Sequence, residues 1–259
     1  MFVRNMACSI PGVFIKHFGV IDSTNSYARA SATSLWAEAG EASVVVVVRA
    51  DEQTAGRGQR GNVWLSSAGD NLLVSIMVRP TALKVVSQFA LSQVVALAVR
   101  SAMAFYDIDV VLKWPNDIYV GGCKLAGILV ELDCCGDSVE QAVMGVGLNV
   151  NQSAFAPMDR VPVSMKMLRG TSFAVDEVLA TLLDSFSRYY AMLQAGEYEA
   201  LATEYKKHLL GYGRVMHYRD EKSSFEAEIV EVGNDGRISL RRADGSTSKY
   251  AFKEVELLL

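Results

Sequence analysis

The chain has 259 residues, of which 51% are hydrophobic and 21% are charged, and its formal net charge at pH 7 is −4. This size allows one large domain or a main domain with a small appendage, and the composition is ordinary for a soluble globular protein with a sizeable core. The charge argues against bulk electrostatic binding to nucleic acid, and the longest purely aliphatic run, residues 44–48, is far too short to span a bilayer.

The first predicted elements are a helix, a strand and a loop. Residues 24–38 predict a helix, for which Ser23 or Thr24 can serve as the N-cap. Residues 43–50 contain a run of valines and predict a strand that is buried on both faces. A polar, glycine-containing loop follows at 51–62.

The middle of the chain continues with strands and helices of ordinary length. Residues 71–78 predict a strand that Pro80 closes, and the apolar residues between 87 and 106 suit a helix. A second helix is predicted at 176–193, where apolar residues recur on one helical face. Three further short strands are predicted at 109–113, 125–132 and 139–146.

The pattern changes after Gly211. Short strand-like runs alternate with Asp-Gly pairs at 235–236 and 244–245, which are typical of two-residue hairpin turns. We therefore predict a main domain at 1–210 and a small all-β domain at 211–259. A barrel of this size is marginal on its own, so it should pack on the main domain.

The cysteines show no arrangement typical of a zinc site, since two are adjacent and no paired spacing occurs. The pattern predicts reduced thiols in the cytoplasm. The N-terminal residues also lack the sustained apolar core of a secretory signal. The four cysteines are Cys8, Cys123, Cys134 and Cys135.

The loop sequence Gly-Arg-Gly-Gln-Arg-Gly at 56–61 follows a predicted strand, so a dinucleotide-binding loop has to be considered. That loop requires a helix to begin at its glycines, and the phosphate-binding loop of NTPases requires Gly-Lys-Ser/Thr. Neither follows here, because the next pattern is the strand at 71–78. A mobile surface loop is the ordinary alternative. Glycine N–H groups together with Arg57 and Arg60 are, however, well suited to binding an anion.

A second polar segment, Lys-Trp-Pro-Asn-Asp at 113–117, lies between two predicted strands. Its proline ends the first strand, and Asn116 and Asp117 form a turn that can present polar side chains. Lys124 begins the next strand, which places it near Lys113 at the same edge of a hairpin. Either lysine alone is typical of a solvated surface, but the pair beside a proline-fixed polar turn favours a ligand site.

Two glycines, Gly145 and Gly147, occupy alternate positions in an apolar strand. A bulge is the ordinary explanation of glycine in a strand. The alternative is that another group approaches this face closely. Asn149 could then form a hydrogen bond with that group.

These segments resemble the biotin protein ligase family in four places that follow in the same order. The Lys-Trp-Pro-Asn-Asp segment followed by Lys-Leu-Ala-Gly is highly specific, and the other segments are supportive. The four places are 22–25, 53–61, 113–117 with 124–129, and 145–149.

The resemblance implies an α+β fold, with a mixed-sheet catalytic domain of the biotin/lipoate ligase type and a small SH3-like all-β C-terminal domain. It implies a ligase that uses ATP and Mg²⁺ to activate biotin as biotinyl-5′-AMP. The acceptor would be a lysine of the biotin carboxyl-carrier domain of a carboxylase. We expect no tightly bound prosthetic group, no membrane association, and a monomer or a homodimer.

The resemblance also implies roles for individual residues, with Lys124 and Arg57 as the catalytic cations. Lys124 would contact the biotin carboxylate and the α-phosphate, and Trp64 would stack on the adenine. Mg²⁺ would be held through the phosphates, with Asp117 as a candidate ligand. The residues expected to bind biotin are Ser23, Thr24, Asn25, Gln53, Gly56, Arg57, Gly58, Gln59, Lys124 and Gly127. Those expected to bind the nucleotide are Arg60, Trp64, Lys113, Asn116, Asp117 and Asn149.

The implied chemistry needs positioned cations in its first step, because the carboxylate of biotin is already ionised at neutral pH. The second step needs a neutral lysine amine on the acceptor, whereas an unperturbed lysine has a pKa of about 10.4. Asp117 is a candidate for the base in that step.

Two departures from the family pattern affect these expectations. Gln59 stands where many bacterial members have arginine in the loop, so a positive charge is missing there, although Arg60 beside it can compensate. Some members carry an N-terminal winged helix that binds DNA, and the sequence before Asp22 leaves no room for one. We therefore expect no DNA binding.

Two alternatives remain open on the sequence. A lipoate or octanoate ligase has a similar fold and uses the same adenylate chemistry, but a lipoyl chain needs an apolar channel. The polar residues Ser23, Thr24 and Gln53 favour biotin. A non-enzymatic module that senses biotin would need no acid-activating cations, and the two lysines together with Arg57 argue against it.

Overall fold

The computed structural model describes residues 3–6, 11–156 and 160–259. Cys8 and the side chain of Arg60, both named above, lie outside the described part. The helices are α1 (Thr24–Ala30), α2 (Ala32–Ala39), α3 (Phe89–Phe105), α4 (Met165–Arg169), α5 (Val175–Gln194) and α6 (Tyr198–Lys207). The strands are β1 (Val3–Met6), β2 (Val13–Ile21), β3 (Val45–Gln53), β4 (Leu72–Val78), β5 (Val111–Lys113), β6 (Asp117–Val120), β7 (Cys123–Cys135), β8 (Ser138–Leu148), β9 (Val215–Asp220), β10 (Ser224–Val232), β11 (Ile238–Arg241), β12 (Thr247–Tyr250) and β13 (Val255–Leu257).

Within the described ranges, eight strands form one mixed sheet in the order β1-β2-β3-β4-β8-β7-β6-β5. β2 and β3 pair in parallel and the other neighbours pair antiparallel. The predicted α+β fold with a mixed sheet is confirmed. The valine run of β3 is buried on both faces, as the sequence predicted, because helices cover each side of the sheet at this strand.

The two faces of the sheet carry different layers. On one face, the largest hydrophobic cluster joins the sheet to α3 and α5, and α3 also packs on α6. On the other face, α1 and α2 cover a smaller cluster on β2, β3, β4 and the middle of β8. Side chains alternate between faces along a strand, so Met144 and Val146 of β8 face the large cluster. Val143 faces α1, and Gly145 and Gly147 share its side.

The segment Val85–Phe105, which contains α3, is long and apolar enough to cross a membrane by length and composition. In the described structure its residues are mostly buried against α5 and α6. It therefore has the packing of a core helix.

The five C-terminal strands form a separate antiparallel sheet in the order β12-β11-β10-β9-β13. The predicted Asp-Gly turns are present, but the expectation of two-residue loops was wrong. Gly245 N–H donates to the Arg242 carbonyl, and Arg242 N–H donates to the Ser246 carbonyl. The loop therefore contains three residues and ends on a glycine of positive φ. The loop at 234–236 shows the same pattern.

The small sheet is fixed to the main body by an indole and aromatic rings. Trp114 Nε1 donates to the Gly236 carbonyl at 2.8 Å. Phe252 places its ring 5.3 Å from that of Trp114 and 6.3 Å from that of Phe89. The tryptophan of the polar segment therefore serves the contact between the two sheets.

Several elements differ from their predictions. The helix predicted at 24–38 is two helices, which meet at Ser31. At Ser31 the backbone leaves the helical region, with φ −106° and ψ 16°, so the first helix ends there and the second begins. Asp117 was expected in a turn and instead begins β6, a strand that the sequence did not predict. β2, α4 and α6 were also not predicted.

The Trp114 indole provides the test of how the sheets are joined. Trp114→Phe leaves the Gly236 carbonyl without its donor, so we expect the free energy of unfolding to fall by about 1–3 kcal/mol. Hydrogen exchange in residues 215–257 should become faster. The control is Trp36→Phe, which removes an indole bond to Gln141 Oε1 within the main body and should leave exchange in 215–257 unchanged. Equal protection of that region in Trp114→Phe and the wild type would contradict the assignment.

Candidate active site

A cavity of about 400 Å³ lies on the α1 face of the main sheet. Its floor is formed where Gly127 of β7 pairs with Gly147 of β8. The N-terminus of α1, the loop at 57–64, the turn at 114–116 and strand β13 surround it. Both sheets therefore contribute to its walls.

The glycines of the floor are required by side chains of the same chain. A Cβ atom at Gly145 would collide with the carboxamide of Asn25, and one at Gly147 would collide with the indole of Trp64. The close approach that the sequence predicted at these positions is confirmed. An alanine in either place would push a polar or aromatic side chain out of the cavity wall.

A polar cluster closes the end of the cavity at α1. The Ser23 side chain caps the helix by accepting from Ser26 N–H. Gln53 Oε1 accepts from Thr24 N–H at 2.8 Å and from Thr24 Oγ1 at 3.1 Å. Ser75 Oγ has two acceptors within reach, Thr24 Oγ1 at 2.8 Å and Asn25 Oδ1 at 2.5 Å. Its single proton can be donated to either one. These bonds hold the cluster in one geometry.

Cations collect at the opposite end around one buried carboxylate. Asp117 is only 4% exposed; its Oδ1 lies 2.6 Å from Lys124 Nζ and its Oδ2 lies 2.7 Å from Arg160 Nη1. Burial lowers the pKa of Lys113, and the neighbouring charge of Arg160 acts in the same direction. Burial also raises the pKa of Tyr119 to about 12, so this phenol stays protonated near neutral pH.

Arg57 is held by a different carboxylate. Its guanidinium donates to both oxygens of Glu131, at 2.9 and 3.2 Å, and to Ser26 Oγ at 3.3 Å. Burial alone would raise the pKa of Glu131, but hydrogen bonds from Asn25 and Arg57 hold it below its ordinary value. The two cations that the sequence assigned to one reacting centre, Arg57 and Lys124, are thus anchored separately.

The Trp64 indole lies inside the cavity, against both glycines of the floor. A Cβ at Gly127 would come within 3.1 Å of its ring, and Lys124 Nζ is 5.7 Å from the ring centroid. Its Nε1 is buried and has no hydrogen-bond partner among the described residues. The ring is therefore positioned to form a flat apolar wall beside a lysine.

Most of the residues predicted for the site line this cavity. Asn116 also donates from Nδ2 to the Ile128 carbonyl at 2.6 Å. Asn149 does not line it, because its amide is bonded to the carbonyls of Val163 and Lys124. Gly56 does not line it either but lines a neighbouring pocket together with Arg57 and Glu131. The predicted residues that line it are Ser23, Thr24, Asn25, Gln53, Arg57, Gly58, Gln59, Trp64, Lys113, Asn116, Asp117, Lys124 and Gly127.

Sequence reasoning missed several residues of the site. Ser75 had a usable signal, because it is the polar residue of an otherwise apolar strand. Glu131 lies just beyond the Lys-Leu-Ala-Gly segment. Arg160 and the residues of the C-terminal sheet belong to no motif, so their approach to the cavity is visible only in the fold. Those C-terminal residues are Lys253, Val255, Glu256 and Leu257.

Comparison with known proteins gives related sequences over nearly the whole chain. A bifunctional ligase/repressor BirA from Bacillus spizizenii is 29% identical over 252 residues, which are 96% of this chain and 75% of that protein. A biotin–[acetyl-CoA-carboxylase] ligase from Paracoccus denitrificans is 29% identical over 231 residues, covering 86% of this chain and 92% of that protein.

The fold is also shared with solved structures. The biotin protein ligase from Aquifex aeolicus, in complex with biotin and ATP, superposes with a TM-score of 0.75 at 23% identity. The match covers 94% of this chain and 98% of that one. The model of the biotin/lipoate A/B protein ligase family matches residues 18–149, which are just over half of the chain and hold most of the cavity lining. The chain therefore belongs to the biotin/lipoate A/B protein ligase family.

Proposed function

We propose that the protein activates biotin with ATP, forming biotinyl-5′-adenylate and pyrophosphate, and then transfers biotin to a lysine of a biotin carboxyl-carrier domain. The family match and the names of the similar ligases support this proposal. The observation that carries it is the two-ended cavity. One end has neutral hydrogen-bonding groups for a polar ring, and the other end has cations around Asp117 for reacting anions.

The neutral end suits the ureido ring of biotin. Two donors from Thr24 fix the Gln53 carboxamide through its oxygen, which leaves the Nε2 group to donate to a carbonyl of the substrate. Ser23 lines the cavity and is nearly fully buried. Its Oγ accepts within the helix cap, so its hydroxyl proton also stays available for a substrate acceptor. A lipoyl or octanoyl chain would leave these donors unpaired, so this end favours biotin.

The cationic end suits the adenylation step. A carboxylate oxygen of biotin attacks the α-phosphorus of ATP, the new C–O–P bond forms, and the bond from that phosphorus to the pyrophosphate oxygen breaks. Two anions must approach each other, so positioned positive charge is the main requirement. Lys124 is already fixed by Asp117, and Trp64 beside it offers a face on which the adenine can stack.

In the transfer step, the acceptor amine attacks the carbonyl carbon, the amide bond forms, and AMP leaves with the bridging oxygen. Asp117 was a candidate base for this step on the sequence. In the structure both of its oxygens contact cations, which favours a role in holding Lys124. We therefore propose that Asp117 positions Lys124 and does not act as the base in the transfer step.

Mg²⁺ fits this site as a partner of the nucleotide. The described residues contain no group of three or more histidine, cysteine, aspartate or glutamate side chains able to hold a metal ion. Mg²⁺ commonly uses one or two carboxylates together with substrate phosphates, and Asp117 and Glu256 are the carboxylates that line the cavity. When bound, the ion would neutralise phosphate charge.

The proposed function is tested by incubation of the protein with ATP, Mg²⁺ and a biotin carboxyl-carrier domain, with either biotin or lipoate present. We expect the mass of the carrier to rise by one biotinyl group, with release of AMP. A carrier variant with arginine in place of its acceptor lysine is the control and should stay unmodified. Modification with lipoate alone would make the protein a lipoate ligase, and biotin binding without AMP release would make it a sensor.

Lys124 provides the mutational test of the cationic end. Lys124→Ala should lower the rate of biotin-dependent pyrophosphate exchange by roughly 10²- to 10³-fold, the effect of losing one preorganised electrostatic contact. Folding should survive, because Asp117 keeps Arg160 as a partner. Lys84→Ala is the control, since Lys84 bonds to Asp137 on the surface. This variant should catalyse pyrophosphate exchange at the wild-type rate. An exchange rate near that of the wild type in Lys124→Ala would refute the assignment.

A further inference from the structure

Arg160 is a cation of the cavity that the adenylation chemistry above does not use. It precedes α4, beyond the residues that the family model matches, and its side chain lines the cavity. Nη1 lies 2.7 Å from Asp117 Oδ2, and Nη2 lies 3.6 Å from Glu256 Oε1 of β13. The guanidinium is therefore held between the main sheet and the C-terminal sheet.

The charges that line the cavity do not balance. Its carboxylates are Asp117 and Glu256, and Glu256 also bonds to Arg219 at 3.0 Å. Its cationic residues are more numerous, and three of them, Lys113, Lys124 and Arg160, lie around Asp117. A surplus of positive charge in a partly closed cavity favours an anionic ligand. The list of cationic lining residues is Arg57, Lys113, Lys124, Arg160 and Lys253.

The position of Arg160 favours phosphate over the carboxylate of biotin. Lys124 approaches one oxygen of Asp117 from the floor of the cavity, next to Gly127 and Trp64. Arg160 approaches the other oxygen from the side of β13. The Arg160 side chain is also the more exposed of the two, at 44% against 23% for Lys124. Arg160 therefore lies nearer the solvent, on the side from which the polyphosphate of a bound ATP can be reached.

The chemistry of the guanidinium fits this position. It has five N–H donors in a rigid planar fork that matches phosphate oxygens. Asp117 takes one close contact, and Glu256 lies at a longer distance, so donors remain for a ligand. The two carboxylates fix the plane of the fork before the ligand arrives, which reduces the entropy lost on binding.

We propose that Arg160 binds the phosphates of ATP, with Asp117 and Glu256 as the residues that position its guanidinium. This proposal rests on the proposed function, since it assigns one more ATP-binding residue to the same site. The C-terminal sheet then contributes to ATP binding through Glu256, which helps to fix the Arg160 guanidinium.

The test compares Arg160→Gln, Arg160→Lys and the wild type in biotin-dependent pyrophosphate exchange. For Arg160→Gln we expect the KM for ATP to rise by about 10- to 100-fold, the loss of one or two charge-assisted hydrogen bonds. The KM for biotin should stay within about threefold of the wild type, and Arg160→Lys should lie between the two. Arg219→Gln is the matched control, since Arg219 shares the Glu256 partner but does not line the cavity. Its KM for ATP should equal that of the wild type.

A second experiment measures the Kd of α,β-methylene-ATP by calorimetry in the presence of biotin. Because it does not depend on catalysis, it tests the role of Arg160 separately from the proposed function. A Kd for the analogue that rises by about 10- to 100-fold in Arg160→Gln supports the proposal, whether or not exchange occurs. An unchanged Kd and KM for the nucleotide would overturn it. A parallel loss of biotin affinity would also overturn it, because Arg160 would then only support the structure around Asp117. Absence of exchange in the wild type would refute the proposed function alone.

Discussion

The site depends on the burial of one carboxylate. An ionised aspartate at 4% exposure is stable only when its charge is paired and hydrogen-bonded, and Asp117 satisfies this by holding Lys124 on one oxygen and Arg160 on the other. Either cation alone would be a flexible side chain in water. Because both are tied to a buried anion at the start of β6, they face the cavity in fixed positions before any ligand binds. Such preorganised charge is what a reaction between two anions requires.

The second constraint is the alternation of side chains across the main sheet. One face is filled by the large core under α3 and α5, and it carries the stability of the domain. The other face is covered by α1 and α2 over β2, β3, β4 and the middle of β8. Further along β8 the same face continues as Gly145 and Gly147, and the space above them holds Asn25 and Trp64. The cavity therefore exists because small residues replace core side chains on one side of a sheet whose other side is fully packed.

Much of the fold and of the site could be predicted from the sequence, because many of their features are encoded in short, continuous segments of the chain. The strand at β3 and the helix at α3 follow from apolar patterns, and the close approach at Gly147 follows from glycine in an apolar strand. Lys124 and Asp117 stand in one short motif. Arg160 and Glu256 are different, since they reach the cavity from segments without a motif, across a contact between two sheets. No property of the local sequence encodes that contact. The break of the first helix at Ser31 was likewise not predicted, because apolar periodicity does not report the backbone angles of a single residue.

In the proposed reaction, the neutral end orients biotin, the cationic end brings its carboxylate to the α-phosphate, and Trp64 forms an aromatic wall of the same cavity. The carboxylate of biotin then becomes bonded to the phosphorus of AMP. The most direct measurement uses biotin with ¹⁸O in both carboxylate oxygens, ATP and the carrier domain, followed by mass analysis of the AMP released. We expect one ¹⁸O atom in each AMP, since the bridging oxygen leaves with the phosphate. Unlabelled AMP would contradict it, because biotin would then have reached the carrier without passing through the adenylate.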